Sequence, residues 1–276
     1  MMMQGTPNHS AKARSGISPK DVPSGYVDIH CHCLPNIDDG PASMGQAVAL
    51  CAALADDGIG LVIATPHQLV RCEARTCAQV IRTAVDELNQ KLAEESIDVT
   101  VLPGGEVRLD ERIETLLAND EILTLADRGR HILLELPPDV FVDIEPLLLQ
   151  MRSRGVDLVI AHPERNAPLI AHSQILRRWL NCGASLQVTA ASLAGYFGAA
   201  AERAAWDMVL GGWATIVATD AHDTGLNGPC MTIASRLLAD ALGPSMARRL
   251  CFENPLGIVV GTESLPLRWP GKQEVG

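Results

Sequence analysis

Two histidines flank a single cysteine in the stretch YVDIHCHCLPNIDDG, which covers residues 26–40. The apolar residues before them predict a short buried strand, and consecutive side chains of a strand point to opposite sides. His30 and His32 therefore share one side, and Cys31 and Cys33 share the other. Histidine is the commonest metal ligand near neutral pH, so two imidazoles on one side of a strand predict a metal chelate. The two thiols are expected to pack into the wall of the fold as small apolar groups.

A turn follows the histidine pair. Pro35 and Gly40 turn the chain, and this turn could bring the carboxylate of Asp38 or Asp39 to the same end of the strand. Either carboxylate would add an oxygen ligand to the two nitrogen ligands. The stretch on its own leaves open which aspartate does so.

Apolar runs and helical patterns alternate along the rest of the chain. The apolar runs predict seven buried strands, at residues 26–30, 60–64, 98–102, 132–134, 157–161, 184–188 and 214–218. The intervening patterns predict helices at residues 43–57, 73–94, 111–118, 143–154, 169–181, 199–210 and 230–242. Such alternation indicates parallel strands joined by right-handed crossovers. We therefore expect an α/β fold and favour a closed or nearly closed barrel. The alternative is an open doubly wound sheet, which would gather its site at one switch point.

Side chains that can bind metals stand where these strands end. Catalytic groups of an α/β barrel lie at the carboxyl ends of its strands. The candidates at these positions are five imidazoles and four carboxylates: His30, His32, Asp39, His67, Glu106, Glu135, His162, Asp220 and His222. Four carboxylates in one cleft repel one another, and a cluster of two or three divalent cations, roughly 3.5–4 Å apart, relieves that repulsion. The mixed ligand types indicate Mn, Fe or Zn rather than Mg alone. No such role is expected for the histidines in the tail, at a strand start and in a helix, which are His9, His131 and His172.

The composition limits the classes of function. Apolar residues make up 47% of the 276 residues and aromatic residues only 3%, which suits parallel strands covered by helices. A formal net charge of -11 repels a phosphate backbone, so we expect no nucleic-acid partner. Eight cysteines without a CxxC pair indicate reduced thiols in a cytoplasmic protein. Residues 1–25 predict a flexible extension before a single domain at residues 26–276, and no apolar run is long enough to span a membrane.

Seven motifs, taken together and in order, resemble a known superfamily. They are DIHCHCLPNIDDG, ATPH (64–67), GGEVR (104–108), LLELP (133–137), IAHPERN (160–166), LQVTAASLAG (186–195) and ATDAHD (218–223). This set is similar to the PHP (polymerase and histidinol phosphatase) superfamily, and within it to the CpsB/CapC-type bacterial protein-tyrosine phosphatases. The resemblance runs from residue 26 to about residue 260.

The resemblance implies a distorted (β/α)₇ TIM-like barrel that holds three metals, often manganese. One metal would have four ligands, which are His30, His32, Glu106 and Asp220. Glu106 would bridge to a second metal, held also by Glu135 and His162. The third would be held by Asp39, chosen over Asp38, with His67 and His222. Arg165, in the HPERN run, matches the arginine that grips the phosphate.

The activity implied is metal-dependent hydrolysis of phosphotyrosine in proteins, of the capsule or exopolysaccharide regulation type, by a hydroxide that bridges two metals. The expected partner is a phosphotyrosine protein such as a bacterial tyrosine kinase. Two alternatives stay open: a small phosphoester such as histidinol phosphate as substrate, or a metal-binding module without catalysis. Asn227 stands where relatives often have arginine, and Asp223 replaces a frequent asparagine. Both departures weaken the expected second phosphate contact.

Overall fold

Short parallel strands alternate with helices in the computed structural model, which describes residues 25–70 and 75–261. The strands in these ranges are β1 (Tyr26–Cys31), β2 (Ile59–Ala64), β3 (His67–Gln68), β4 (Thr100–Pro103), β5 (Glu106–Arg108), β6 (His131–Glu135), β7 (Asp157–Ala161), β8 (Ser185–Thr189) and β9 (Ala214–Ala218). The α-helices are α1 (Met44–Asp56), α2 (Ala78–Glu94), α3 (Ile113–Ala118), α4 (Glu145–Ser153), α5 (Ala167–Ile170), α6 (Gln174–Asn181), α7 (Ala190–Leu193), α8 (Ala199–Leu210), α9 (Met231–Leu242), α10 (Pro244–Arg248) and α11 (Asn254–Val260). Single helical turns of other types cover Leu125–Asp127, Pro163–Arg165 and Arg249–Glu253.

All strand pairs are parallel, and they form two sheets with the orders β1-β2-β4 and β3-β5-β6-β7-β8-β9. Two backbone hydrogen bonds join β1 to the chain beyond β9: His32 N donates to Ala221 O at 2.8 Å, and Asp220 N donates to His30 O at 2.7 Å. The edges of the two sheets therefore meet where the strands end. The prediction of a parallel α/β fold of the TIM-like class is confirmed.

The described part of the chain has nine strand segments because two of the seven predicted strands are followed, after an interruption of two residues, by a further short strand. Only two residues separate β2 from β3, and only Gly104 and Gly105 separate β4 from β5. A Cβ atom on Gly104 would lie 2.6 Å from the side chain of Ile63, and one on Gly105 would lie 2.2 Å from the side chain of Gln68. Glycine is therefore required at both positions by close packing. These interruptions place His67 directly opposite Glu106 in the β3–β5 pair.

A bulge in β1 aims the histidine pair. The register of β1 on β2 slips between Asp28 and Cys31, and such a bulge reverses which side chains face inward. Val27 and Ile29 pack in an inner cluster with residues of β2, β6, β7, β9 and α11. After the bulge it is Cys31 that faces the outer cluster beneath the helices. The prediction that Cys31 and Cys33 pack in the wall of the fold is confirmed, because both are fully buried there.

Most predicted boundaries agree with the structure to within two residues, and two helices differ by more than that. The helix predicted at 73–94 begins at Ala78, whose backbone N–H donates to Glu121 O at 3.2 Å; residues 73 and 74 lie outside the described ranges. The single helix predicted at 169–181 is two helices, because Asn166 caps α5 early by accepting a hydrogen bond from Leu169 N. His172 therefore lies in the turn between α5 and α6 and not in a helix.

The predicted extension at residues 1–25 lies outside the described ranges except for Gly25, as do residues 262–276 of the predicted domain. No helix within residues 25–70 and 75–261 has the length and apolar character that a membrane span requires.

His131 gives a stability prediction. Its side chain is buried at the start of β6, and neither ring nitrogen has a hydrogen-bond partner among the described residues. Burial, with a smaller contribution from the charge of Arg130, lowers its pKa to about 4. The unfolded chain therefore takes up a proton between pH 6.5 and 4 that the folded protein does not. This contribution to stability is present above pH 6.5 and is lost as the pH falls toward 4.

His131→Leu should remove that loss. From pH 7 to pH 4, the free energy of unfolding of the variant should fall by about 3 kcal/mol less than that of the wild type. This figure follows from about 1.4 kcal/mol for each unit of pKa shift. Urea unfolding of both proteins at the two pH values measures the difference. His172→Leu, at an exposed position, is the matched control and should show no such change. A gain for His131→Leu that does not depend on pH would contradict the prediction.

Candidate metal centre

The two histidines of β1 present one nitrogen each to a common point. His30 Nδ1 donates to Gln187 Oε1 at 2.9 Å, and His32 Nδ1 donates to Asp38 Oδ2 at 2.7 Å. Because both acceptors are oxygens, the proton of each ring stands on Nδ1 and the lone pair on Nε2. The two Nε2 atoms are 3.3 Å apart. Two facing lone pairs repel each other unless a cation lies between them.

The two aspartates of the turn have different positions. Asp38 accepts hydrogen bonds from His32 Nδ1, from His67 N at 3.0 Å and from Gly40 N at 3.1 Å, so its oxygens are engaged in holding other groups. The Asp39 side chain is 65% exposed, and its Oδ1 lies 3.5 Å from His67 Nε2. The same oxygen lies 3.4 Å from Nε2 of His222. Asp39 therefore faces the imidazoles, and Asp38 supports them.

His222 follows the same rule as the β1 histidines. Its Nδ1 donates to the backbone oxygen of Asp220 at 2.8 Å, which leaves its Nε2 lone pair directed toward Asp39. The His222 ring also stacks on the His32 ring, with centroids 4.0 Å apart. Three imidazoles thus have their outer nitrogen fixed by an oxygen and their inner nitrogen free to bind.

Glu106 lies at the middle of the site and is fully buried. Its Oε1 is 2.9 Å from His162 Nε2, and its Oε2 is 2.8 Å from His67 Nδ1. The nearest distance from the carboxylate to Nε2 of His30 and of His32 is 3.5 Å in each case. Three buried atoms converge here that have close polar neighbours but no hydrogen bond of good geometry, and they are Glu106 Oε2, Glu135 Oε2 and His67 Nδ1. Unsatisfied buried donors and acceptors of this kind are what a bound cation would satisfy.

Asp220 divides its two oxygens between the imidazoles and an arginine. Its Oδ1 lies 3.1 Å from His30 Nε2 and 3.4 Å from His32 Nε2, while its Oδ2 lies 2.6 Å from an Nη atom of Arg165. The backbone of Asp220 has φ 54°, and that of His162 has φ 32°. Left-handed backbone at residues other than glycine costs energy and clusters at functional sites. Both residues stand where a strand ends.

The charges in the site shift one another strongly. Burial by itself lowers the pKa of His30, but the carboxylates of Asp220 and Glu106 raise it to about 10. Burial raises the pKa of Glu106, yet the charges and hydrogen bonds of His30 and His162 hold it well below the usual range. For Glu135, burial and then the charge of Glu106 raise the pKa. Protons and cations therefore compete for the same ligand atoms.

All nine predicted strand-end residues come together in four overlapping groups, and within each group the ligand atoms lie within 4.8 Å of one another. The groups are His32, Asp39, His67 and His222; His30, His32 and Asp220; His30, Glu106 and His162; and His67, Glu106 and Glu135. A mixed imidazole and carboxylate set fits divalent transition metals. The residues present thus fit a cluster of divalent cations.

The site opens into a cavity of about 610 Å³. Arg165, which stays a predicted phosphate contact, forms part of its wall, and so does Asn227. His131 and His172 are not among its lining residues, and His9 lies outside the described ranges. Most of the described lining residues have polar or charged side chains, and Arg165 is the cationic one among them.

Sequence reasoning gave no role to several residues that support the site. The predicted strand at 184–188 includes Gln187, but the sequence does not reveal its contact with His30. Asp28 is fully buried and accepts from Thr219 N at 3.0 Å and from the Thr219 hydroxyl, which ties β1 to the end of β9. Burial raises the pKa of Asp28 to about 6 although these hydrogen bonds lower it. Arg108 contacts Glu135, with Nε 3.0 Å from Oε2. Spacing along the chain carries no signal for such contacts.

Comparison with known proteins finds relatives that are named tyrosine-protein phosphatases. Tyrosine-protein phosphatase YwqE of Bacillus subtilis (strain 168) is 37% identical over 198 residues, which are 71% of this chain and 77% of that protein. Tyrosine-protein phosphatase CpsB of Streptococcus pneumoniae is 26% identical over 245 residues, covering 85% of this chain and 98% of that protein. A solved structure from work on these two proteins, described there as unique metal-dependent tyrosine phosphatases, matches with a TM-score of 0.83. The match has 32% identity and covers 89% of this chain and 98% of that one.

The family model described as "Capsular polysaccharide synthesis, CpsB/CapC" matches residues 26–260. These limits agree with the predicted extent of the resemblance, from residue 26 to about residue 260. All nine ligand candidates, and the cavity wall with Arg165, lie inside the matched range. From its family match, its relatives and its fold, the chain belongs to the CpsB/CapC family.

Proposed function

We propose that this protein is a metal-dependent phosphomonoesterase that hydrolyses phosphotyrosine in proteins. The observation that carries the proposal is the nine-residue donor set, open to a cavity whose wall holds Arg165. Its relatives named tyrosine-protein phosphatase support the substrate class. A structural metal site is usually closed by protein ligands, whereas this one opens to solvent.

Divalent cations held by these residues would supply an activated water nucleophile and neutralise charge on the phosphoryl oxygens. The chain's own residues do the positioning. Gln187, Asp38 and the backbone oxygen of Asp220 fix three imidazole tautomers, so that each ring offers Nε2 inward. Arg165, anchored on Asp220 and part of the cavity wall, presents a guanidinium to the phosphate.

Cysteine chemistry does not account for the site. No cysteine is among the described residues that line the cavity. The thiols of Cys230 and Cys251 are buried, and burial raises the pKa of each to about 12. A thiol of this kind is a poor nucleophile, because the thiolate is the reactive form.

The finer features of the proposal follow from the donor set and the relatives. We propose two or three bound ions, with manganese preferred, since nitrogen and oxygen ligands are mixed. The nine residues would act as their ligands, and Glu106, at the middle of the set, would contribute to holding more than one ion. The substrate is a phosphotyrosine protein such as a bacterial tyrosine kinase, in the cytoplasm, within regulation of capsular polysaccharide synthesis.

Metal removal tests the proposal directly. Protein treated with a chelator should lose more than about 99% of its activity on a phosphotyrosine peptide, because its own groups lack a nucleophile. Added Mn²⁺ should restore more activity than added Mg²⁺. The measurements are steady-state rates beside elemental analysis of the same samples. Full activity in protein shown to be free of metal would rule out the proposed mechanism.

A comparison of two substrates tests the substrate class. The Mn-loaded protein should act on a phosphotyrosine peptide with a higher kcat/KM than on histidinol phosphate. The reverse order would retain the metal-dependent chemistry and assign a small phosphoester as substrate.

A further inference from the structure

One aromatic side chain stands in the wall of the cavity, among lining residues that are mostly polar. Phe197 lines the cavity and is 38% exposed, and among the described lining residues it is the only phenylalanine, tyrosine or tryptophan. The other apolar lining residues are Pro41 and Ala49. An exposed ring is notable in a chain with 3% aromatic residues. The neighbouring Tyr196 is 60% exposed but does not line the cavity, so Phe197 is the ring that a bound ligand can contact.

The loop that carries Phe197 has a defined conformation. It runs from Gly195 to Gly198, and both glycines have positive φ, 81° and 87°. Backbone hydrogen bonds hold it, from Tyr196 N to Ala191 O at 2.9 Å and from Gly198 N to Gly195 O at 3.1 Å. Left-handed glycines at both ends let the chain turn sharply there. The ring of Phe197 is thus presented by a hydrogen-bonded turn.

A buried carboxylate ties this loop to the arginine of the cavity. Glu164 directly precedes Arg165, is 1% exposed, and accepts hydrogen bonds at Oε1 from Thr189 N at 2.9 Å and from Ser192 Oγ at 2.7 Å. Ser192 lies in α7, immediately before the loop of Phe197. The HPER turn and the aromatic loop are therefore held together by one side chain.

The result is an aromatic ring in direct contact with the phosphate-contacting group, whose guanidinium lies over one face of the ring. The exposed remainder of the ring is what a substrate can contact. The Arg165 Cζ atom lies 4.7 Å from the centroid of the Phe197 ring. A phosphate held by Arg165 would place its ester group within reach of the same ring. Aromatic rings in contact are stabilised by offset stacking or edge-to-face packing, and an alkyl ester offers no such partner.

We propose that Phe197 is a specificity-determining residue that packs against the aromatic ring of the substrate and so favours aryl over alkyl phosphate esters. This inference rests on the proposed function and extends it, because it assigns the preference for tyrosine to one side chain. Glu164 acts as a positioning residue, since it fixes the aromatic loop relative to Arg165.

Binding of two phosphonates tests this role without turnover. Phenylphosphonate and methylphosphonate share the phosphonate group. They differ in whether the phosphorus atom carries an aryl or an alkyl substituent. Calorimetric titration of the Mn-loaded protein should show tighter binding of the phenyl compound, by about 10-fold. In Phe197→Ala that ratio should fall to about 2 or less, and in Phe197→Tyr it should be kept.

The competing explanation is that Phe197 only supports Arg165. In that case Phe197→Ala would weaken both phosphonates equally, and the ratio would not change. An unchanged ratio, or the absence of any aryl preference in the unaltered protein, would overturn the proposal. The proposed function fails separately, on the absence of metal-dependent phosphotyrosine hydrolysis, which these titrations do not require.

Discussion

Glu106→Gln should lower kcat/KM on a phosphotyrosine peptide by at least about 10³-fold and reduce metal content at the same time. The carboxylate of Glu106 is buried, with one oxygen near His162 and the other near His67. An amide keeps the shape but removes the charge that two ions would share, and it turns N–H groups toward one of these imidazoles. Loss of several kcal/mol of charge stabilisation accounts for the size of the effect.

The measurement is elemental analysis of the purified variant beside its steady-state kinetics. Glu164→Gln is the matched control for metal content, because Glu164 is equally buried and its hydrogen-bonded oxygen contacts Thr189 and Ser192. That variant should keep its full complement of metal. If Glu106→Gln also kept full metal content, the bridging role would be wrong, whatever the change in rate.

The strand ends were predictable because the relevant signal is local. A buried parallel strand is a short apolar run, and the residue that follows it is read directly from the sequence. The strands at 157–161 and 214–218 agree with the structure in both boundaries, and so does the helix at 199–210. The ends of these strands lead into His162 and Asp220, so correct boundaries place both residues at the site.

The interruptions of the strands were not predictable, because they depend on contacts between distant residues. Nothing next to Gly104 and Gly105 in the chain shows that Ile63 and Gln68 crowd them. The bulge in β1 is of the same kind, since it exists only in the register of β1 on β2. Alternation alone placed His30 and His32 on one side, and the bulge determines that this side is the inner one.

The supporting contacts also escaped prediction, for a related reason. Asp38 and Asp39 are adjacent and chemically identical, so spacing did not distinguish them, and it was the family resemblance that selected Asp39. The folded turn places Asp39 near His67 and His222 and shows that Asp38 holds His32. Phe197 is separated by 32 positions from Arg165, and their contact depends on how two loops meet. A ligand set with a strong pattern can be read from sequence, whereas the residues that orient it cannot.

Arg165→Ala should lower kcat/KM by about 10²–10³-fold while leaving the metals in place. The Arg165 side chain lines the cavity and is 26% exposed, and it contacts the candidate ligand Asp220 through Oδ2, the oxygen that does not face the imidazoles. Guanidinium has no lone pair to donate to a metal. Its loss therefore removes one preorganised charge from the phosphate site, and such a loss typically costs this much.

Arg165→Lys should recover only part of the lost rate, because an ammonium cannot form the paired hydrogen bonds of a guanidinium. Arg178→Ala is the matched control: Arg178 pairs with Glu145 on the outer helices, and its removal should leave kcat/KM unchanged. Two further quantities are measured for each variant, the metal stoichiometry and the inhibition constant of inorganic phosphate. The inhibition constant should rise for Arg165→Ala, because the phosphate loses its contact with the guanidinium. Loss of metal from Arg165→Ala would instead assign Arg165 to holding Asp220. An inhibition constant equal to that of the wild type would show that Arg165 does not contact the phosphate.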